Sequence, residues 1–406
     1  MQEIALKTAP HRPSFRPHRK VPMRLFASKL PCALAVGLCC ACGVDDEPEA
    51  EIPGLDIPPG FPQPTLPNDN PVTPEKTELG RYLFYDTRLS SNGRQSCGSC
   101  HQQDKAFSDG LMVAIGSTEQ LHPRNSSSLV NVVYNATLTW ANPVLTELEQ
   151  QLLIPLFGDD PIELGAAGHE EEILRRLRDE PLYQALFASA FPKDESPIHW
   201  DNIIFAISTF VRTLISGDSR FDQFVYLNDP DLLSPAEKRG MELFFSERLE
   251  CHHCHGGFNF TESAVHVNSR FDAVRFHNTG LYNIDGKGAY PANNTGVFAI
   301  TGRPSDMGQF RAPTLRNVAV TAPYMHDGSI PSLEEVIRFY EAAGRLIADG
   351  PYAGDGRQSP MKSGLVAGFS LTQGERDDLV RFLESLTDKA FLENPRFSNP
   401  FPSEPP

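Results

Sequence analysis

The sequence predicts a mainly α fold built from two tandem copies of one helical unit joined by long loops, and three observations carry that expectation. Apolar residues at helical spacing recur behind recognisable helix starts, whereas strand-like alternation is scarce. A short pattern occurs twice: Gly80-Arg81-Tyr82-Leu83-Phe84 with Leu89 is matched, at an offset of 160, by Gly240-Met241-Glu242-Leu243-Phe244 with Leu249. Each copy runs into a Cys-x-x-Cys-His pentapeptide, Cys97-Gly98-Ser99-Cys100-His101 and Cys251-His252-His253-Cys254-His255.

Residues 1–42 read as an address. Arg24 and Lys29 precede an apolar run, 30–41, which is too short to span a bilayer and has the proportions of a secretory signal. The run ends in Leu38-Cys39-Cys40-Ala41-Cys42-Gly43, which resembles a bacterial lipoprotein signal with Cys42 as the lipidated residue, although Cys39 stands where Leu is usual. Simple cleavage into the periplasm is the alternative. Residues 43–72 read as a tether, because nine prolines fall between Pro48 and Pro74 among few large apolar residues.

Two folded units follow, 73–230 and 231–393, and then a tail, 394–406. Thr73-Pro74 and the capping box Ser234-Pro235-Ala236-Glu237 start the helices that feed the two cysteine motifs. Further helices are expected at about 145–156, 170–190, 199–216 and 332–344, with a long Gly/Pro/Asn-rich loop over 284–312. Thr372 and Glu375 cap a last helix whose Leu379, Val380, Leu383 and Leu386 line one face, and Trp200 shares the apolar face of Ile203, Ile204, Ile207 and Val211. Both are packing patterns.

The chain of 406 residues, with 40% apolar and 22% charged residues, has an ordinary globular balance. Its 36 basic against 52 acidic residues give a net charge of −16, which argues against a nucleic-acid partner.

Of eight cysteines, Cys32, Cys39, Cys40 and Cys42 lie in the targeting segment, and the other four all belong to the two pentapeptides. Two thiols one helical turn apart reach the two vinyl groups of a porphyrin, and the next residue places an imidazole under the iron. A zinc site sets its cysteine pairs about 15–20 residues apart, whereas these pairs are 154 apart. Neither zinc nor dithiol chemistry requires His after both pairs. The reading is two covalently bound haem c groups, on Cys97, Cys100 and His101 and on Cys251, Cys254 and His255. The two units are then cytochrome c-like domains, each burying a haem in place of much side-chain core.

Over residues 70–393 the chain resembles the bacterial di-haem cytochrome c peroxidase and MauG superfamily. The resemblance rests on Leu79-Gly80-Arg81, the two pentapeptides, Phe276-His277-Asn278-Thr279-Gly280, Arg311-Ala312-Pro313-Thr314-Leu315-Arg316-Asn317 and Thr321-Ala322-Pro323-Tyr324-Met325-His326-Asp327-Gly328. Within the superfamily, His122-Pro123-Arg124-Asn125, Leu138-Thr139-Trp140-Ala141-Asn142-Pro143 and Phe258-Asn259-Phe260 look most like MbnH-type enzymes, which modify a tryptophan in a copper-binding partner. The resemblance implies that one haem meets hydrogen peroxide while the other stores an oxidising equivalent, with Trp140 between them as relay. It implies that Glu163 moves a proton during peroxide cleavage, a task for an acid in a poorly solvated pocket, with Gln151 and Pro155 beside it.

Two positions separate the branches. Where peroxidases carry a loop histidine that caps the first haem, this chain has Ser117, so that haem is expected to be open unless His122 swings in. Where they place a methionine on the second haem, this chain has Tyr340, as in MauG; Met325 is the rival ligand. A phenolate favours the more highly charged iron, and a thioether favours the reduced state. Asn125 with the carbonyls of Thr321 and Pro323 matches the family's inter-haem calcium (Ca2+) site. His252 and His253 are variable filler of the second pentapeptide, and His277 and His326 are expected to pack or bond at the haem edge.

The implied function is a periplasmic peroxide-dependent oxidase of a partner protein, with a tether to the outer membrane through Cys42. The alternative is a cytochrome c peroxidase fed by a redox protein.

Overall fold

The computed structural model describes residues 52–227, 229–270 and 275–401. The targeting segment, Cys42 included, lies outside the described residues. The first half carries α1 (Pro74–Tyr85), α2 (Cys97–Cys100), α3 (Leu148–Phe157), α4 (Glu170–Arg178), α5 (Pro181–Ala190), α6 (Trp200–Arg212) and α7 (Arg220–Tyr226). The second carries α8 (Pro235–Phe244), α9 (Cys251–Cys254), α10 (Phe298–Thr301), α11 (Leu333–Glu341), α12 (Gln373–Ser385) and α13 (Lys389–Leu392). The only named strands among the described residues are a two-stranded antiparallel pair, Leu346–Ile347 with Gly354–Asp355. No helix among them is long and apolar enough to cross a membrane.

The repeated glycine is explained by packing. On α1, a Cβ at Gly80 would stand 1.9 Å from the Ala206 carbonyl oxygen of α6. On α8, a Cβ at Gly240 would stand 2.0 Å from the Asp378 carbonyl oxygen of α12. Only a residue without a side chain lets each pair cross so closely. One turn along, Phe84 meets Phe210 edge-on and Phe244 meets Phe382, each at 5.2 Å between ring centroids. The duplication therefore reaches α6 and α12, which show little sequence likeness. It also reaches Asn131 and Asn317, both left-handed at φ 56° and 58°, whose backbone N–H groups donate to Leu214 and Leu386.

Two cores result. One is built on α1, α3 and α6 around Leu83, Phe84, Ile207 and Phe210, and the other on α8 and α12 around Phe244, Phe260 and Phe382. Helix α3 is pinned to α6 by Arg212, whose two nitrogens donate to the Glu149 carboxylate at 2.7 Å each. Burial alone would raise that carboxyl's pKa, but Arg212 and Asn70 hold it down at about 2.

Several boundaries differ from expectation. The helix expected over 170–190 is two helices, because Pro181 cannot donate into a continuing ladder and instead opens α5 at its first turn. Phe221 of α7 packs in the second core, so α7 bridges the two halves. From residue 52 the proline-rich stretch lies on the body: Leu55, Phe61 and Val72 are buried with Val133, Tyr134 and Ile215. Isolated apolar residues between the prolines anchor what composition alone reads as an extended tether. The tail returns likewise, with Phe397 buried in the first core and the Tyr85 hydroxyl donating to its carbonyl at 2.7 Å.

Gly240→Ala is expected to destabilise the protein by about 1–3 kcal/mol, the cost of overpacking. Thermal unfolding of the haem-loaded protein measures it, and an unchanged midpoint would contradict the tight crossing.

Candidate functional site

The first cysteine motif opens onto a cavity of about 130 Å³ lined on one side by Cys97, Cys100 and His101. A capping box starts its short helix, with Ser96 and Ser99 serving each other's backbone N–H. The Phe107 carbonyl can only accept, so His101 Nδ1 carries the proton and donates to it at 2.7 Å, leaving Nε2 as the free lone pair. Burial lowers the imidazole's pKa and raises the Cys97 thiol's to about 12. A neutral imidazole and two half-buried thiols lining one cavity fit a covalent haem.

The same cavity is lined by Gln151 and Pro155 from α3 and by Glu163 and His122 from loops. The loop 114–122 folds back on itself, His122 N–H donating to the Ala114 carbonyl at 2.8 Å. It docks on the Glu163 segment through the Ser117 N–H, which donates to the Glu163 carbonyl at 2.7 Å. A Cβ at Gly116 would stand 1.8 Å from the Ile162 oxygen, so glycine is what permits this approach. Ser117 is not among the residues lining the cavity.

His122 Nδ1 accepts from the Arg124 N–H at 3.1 Å, which puts the ring proton of the neutral imidazole on Nε2. That atom stands 3.7 Å from Glu163 Oε1. The Glu163 side chain keeps 36% exposure, part of it toward the cavity it lines, while protein crowds its other sides. Burial raises its pKa to about 7. Beside it, Gln151 lines the same cavity, and its Oε1 is buried with no hydrogen-bond partner. The His122–Glu163 contact was not visible in the sequence, where the two residues lie 41 apart.

The second motif opens onto a cavity of about 240 Å³. His255 Nδ1 donates to the Pro313 and Phe260 carbonyls at 3.1 and 3.3 Å, so its Nε2 is again the free lone pair. This wall otherwise differs. Tyr340, Val336 and Ile337 enter from α11, which Ser332 caps. Two tyrosines line the cavity, but the Tyr324 hydroxyl donates to the Val318 carbonyl at 3.0 Å. The Tyr340 hydroxyl has no hydrogen-bond partner among the described residues. Burial, then the Cys254 and Cys251 thiols, push the Tyr340 pKa well above the ordinary phenol value, so only a strongly charged partner would ionise it. Met325 lines the same cavity.

Trp140, Asn125, Thr321 and Pro323 also line it. The Trp140 indole donates to the Asn125 carbonyl at 2.9 Å, and the Asn125 side-chain nitrogen donates to the Leu111 carbonyl at 2.7 Å. His277 pairs with Glu262, and His326 stacks on Phe310 at 3.5 Å. Burial lowers the His326 pKa to about 3, and its Nε2 lacks a partner. Arg311, buried with its Nε donating to the Thr139 carbonyl, is a cation in the cavity wall that sequence reading assigned no role.

Two thiol–imidazole cavities on a duplicated helical frame define a haem c oxidoreductase. Residues 74–229 match the family model of the di-haem cytochrome c peroxidases, and 309–341 match that of RoxA-like, cytochrome c-like proteins. The methylamine utilization protein MauG of Methylorubrum extorquens is 32% identical over 320 residues, 79% of this chain and 80% of that protein. The cytochrome c551 peroxidase of Pseudomonas aeruginosa is 32% identical over 267 residues, 66% of this chain and 72% of the peroxidase. A solved MauG-like protein associated with microbial copper homeostasis superposes with a TM-score of 0.83 at 53% identity, covering 85% of this chain and 98% of its own. The chain belongs to the di-haem cytochrome c peroxidase and MauG family. It is an oxidoreductase acting with peroxide, and haem c is the cofactor of its family.

The Glu163 carboxyl is expected to stay protonated below pH 7 and to ionise above it. The carboxylic C=O infrared band, assigned by its loss in Glu163→Gln, should titrate with a midpoint near 7; a midpoint near 4 would contradict the burial argument.

Proposed function

We propose that the protein is a periplasmic, peroxide-dependent di-haem oxidase that stores two oxidising equivalents and withdraws electrons from a residue, a tryptophan, of a partner protein. The observation that carries this reading is Tyr340, a half-buried phenol that lines the cavity of Cys251, Cys254 and His255 with no hydrogen-bond partner for its hydroxyl among the described residues. When bound, the two haems supply peroxide activation and storage of the oxidising equivalents. Cys97, Cys100 and His101 hold the first; Cys251, Cys254, His255 and Tyr340 hold the second, where a hard anionic oxygen suits the oxidised metal.

Glu163 is the proton carrier. A carboxyl with pKa about 7 is divided between acid and base near neutrality, so it takes a proton from one peroxide oxygen and returns it to the other. His122, with Nε2 3.7 Å from Glu163 Oε1, and Gln151 are the polar side chains of the same lining that position bound peroxide beside Glu163. Trp140 is the relay between the haems. Asn125, Thr321 and Pro323 hold a calcium ion: the Asn125 nitrogen is spent on Leu111, which leaves Oδ1 to join the two carbonyls, and the Asn125 carbonyl holds the Trp140 indole.

The 53% identical MauG-like structure associated with copper homeostasis supports a copper-binding partner. Export, with Cys42 anchoring the protein to the outer membrane, is part of the same reading. One observation favours the second reading, a cytochrome c peroxidase drawing electrons from a cytochrome or cupredoxin: the Met325 thioether lines the second cavity.

Electron paramagnetic resonance of the oxidised protein tests the ligand set. One high-spin and one low-spin ferric haem are expected, with Tyr340→Met altering only the low-spin signal. Two low-spin signals, or a low-spin signal indifferent to Tyr340→Met, would overturn it. Glu163→Gln should retain both haems and slow the reaction with peroxide by about 10²–10⁴-fold; unchanged stopped-flow kinetics would remove Glu163 from the mechanism.

A further inference from the structure

His252 and His253 fill the two positions of the second pentapeptide that neither attach nor ligate a haem, so nothing in haem binding requires them to be histidine. Consecutive residues on a helical turn point about 100° apart, yet both imidazoles of α9 converge on one carboxylate. His252 Nε2 lies 3.5 Å from one oxygen of Glu247 and His253 Nε2 lies 3.3 Å from the other. The two rings are 4.3 Å apart between centroids, and one ligand atom from each of the three residues falls within 4.8 Å of the others. His253 Nε2 also stands 2.8 Å from Glu250 Oε2, a second carboxylate at the same spot.

We propose that Glu247, His252 and His253 form a surface site for one divalent transition-metal ion, with Cu2+ held more tightly than Zn2+. Metal–nitrogen and metal–oxygen bonds of about 2.0–2.1 Å set neighbouring ligand atoms roughly 3.3–3.4 Å apart; His252 and His253 approach different oxygens of Glu247, at 3.5 and 3.3 Å, so both imidazoles lie within reach of an ion on that carboxylate. Imidazole with carboxylate suits copper and zinc, whereas calcium and magnesium take oxygen donors, and the order of divalent affinities places Cu2+ above Zn2+. The site is open to solvent, with Glu247 78%, His253 38% and His252 23% exposed. His252 Nδ1 is buried, so Nε2 is the nitrogen an ion can reach.

The test is calorimetric titration of the haem-loaded protein with CuCl2 and, separately, ZnCl2, together with paramagnetic resonance of the added Cu2+. One equivalent of Cu2+ should bind, showing nitrogen coupling, with Zn2+ at least tenfold weaker. The double variant His252→Asn/His253→Asn, which keeps Cys251, Cys254 and His255, should weaken Cu2+ binding at least tenfold, as should Glu247→Gln, while haem absorption is unchanged. Should the double variant fail to load haem, Glu247→Gln decides alone. No binding by the natural protein, unchanged affinity in the variants, or bound Cu2+ without nitrogen coupling would overturn the proposal.

Discussion

The imidazole of each cysteine motif is fixed by hydrogen bonding to backbone carbonyls, His101 to Phe107 and His255 to Pro313 and Phe260, and the arrangement of both sites depends on it. The carbonyl settles which nitrogen carries the proton, so the other presents its lone pair to the cavity. The bond holds only if the short cysteine helix stays in place, which in turn requires the preceding helix to lie tightly on its core. The glycine crossings at Gly80 and Gly240 and the paired Phe84–Phe210 and Phe244–Phe382 contacts provide that footing twice over.

On this shared base the remaining linings of the two cavities diverge. The first is polar and proton-bearing, with Glu163, His122 and Gln151 brought together by a hairpin that Gly116 lets settle against Ile162. The second is largely apolar, with one phenol entering from α11 and a buried cation, Arg311, in its wall. A duplicated fold thus supplies two cavities with the same thiol–imidazole motif and otherwise unlike linings. That difference suits one site to handling protons and the other to holding charge.

Local chemistry made much of this legible. The cysteine motifs and the caps at Thr73, Ser234 and Thr372 each act within one turn of chain, and they appear where the sequence puts them. What escaped is non-local or set by sparse side chains. Leu55 and Phe61, scattered among prolines, look like tether until the groove that receives them exists. The His122–Glu163 contact needs two loops to meet, and no periodic signal encodes that. His252 and His253 read as filler because their meeting with Glu247 arises only when the chain turns between α8 and α9.

The central claim is that the second site stores oxidising equivalents and does not pass electrons inward from a cytochrome. Stopped-flow absorption of the oxidised, haem-loaded protein mixed with hydrogen peroxide, with and without reduced cytochrome c, tests it most directly. The account predicts a long-lived oxidised state formed without prior reduction and little consumption of the cytochrome. Rapid cytochrome oxidation with no such state, or a requirement for prior reduction, would contradict it.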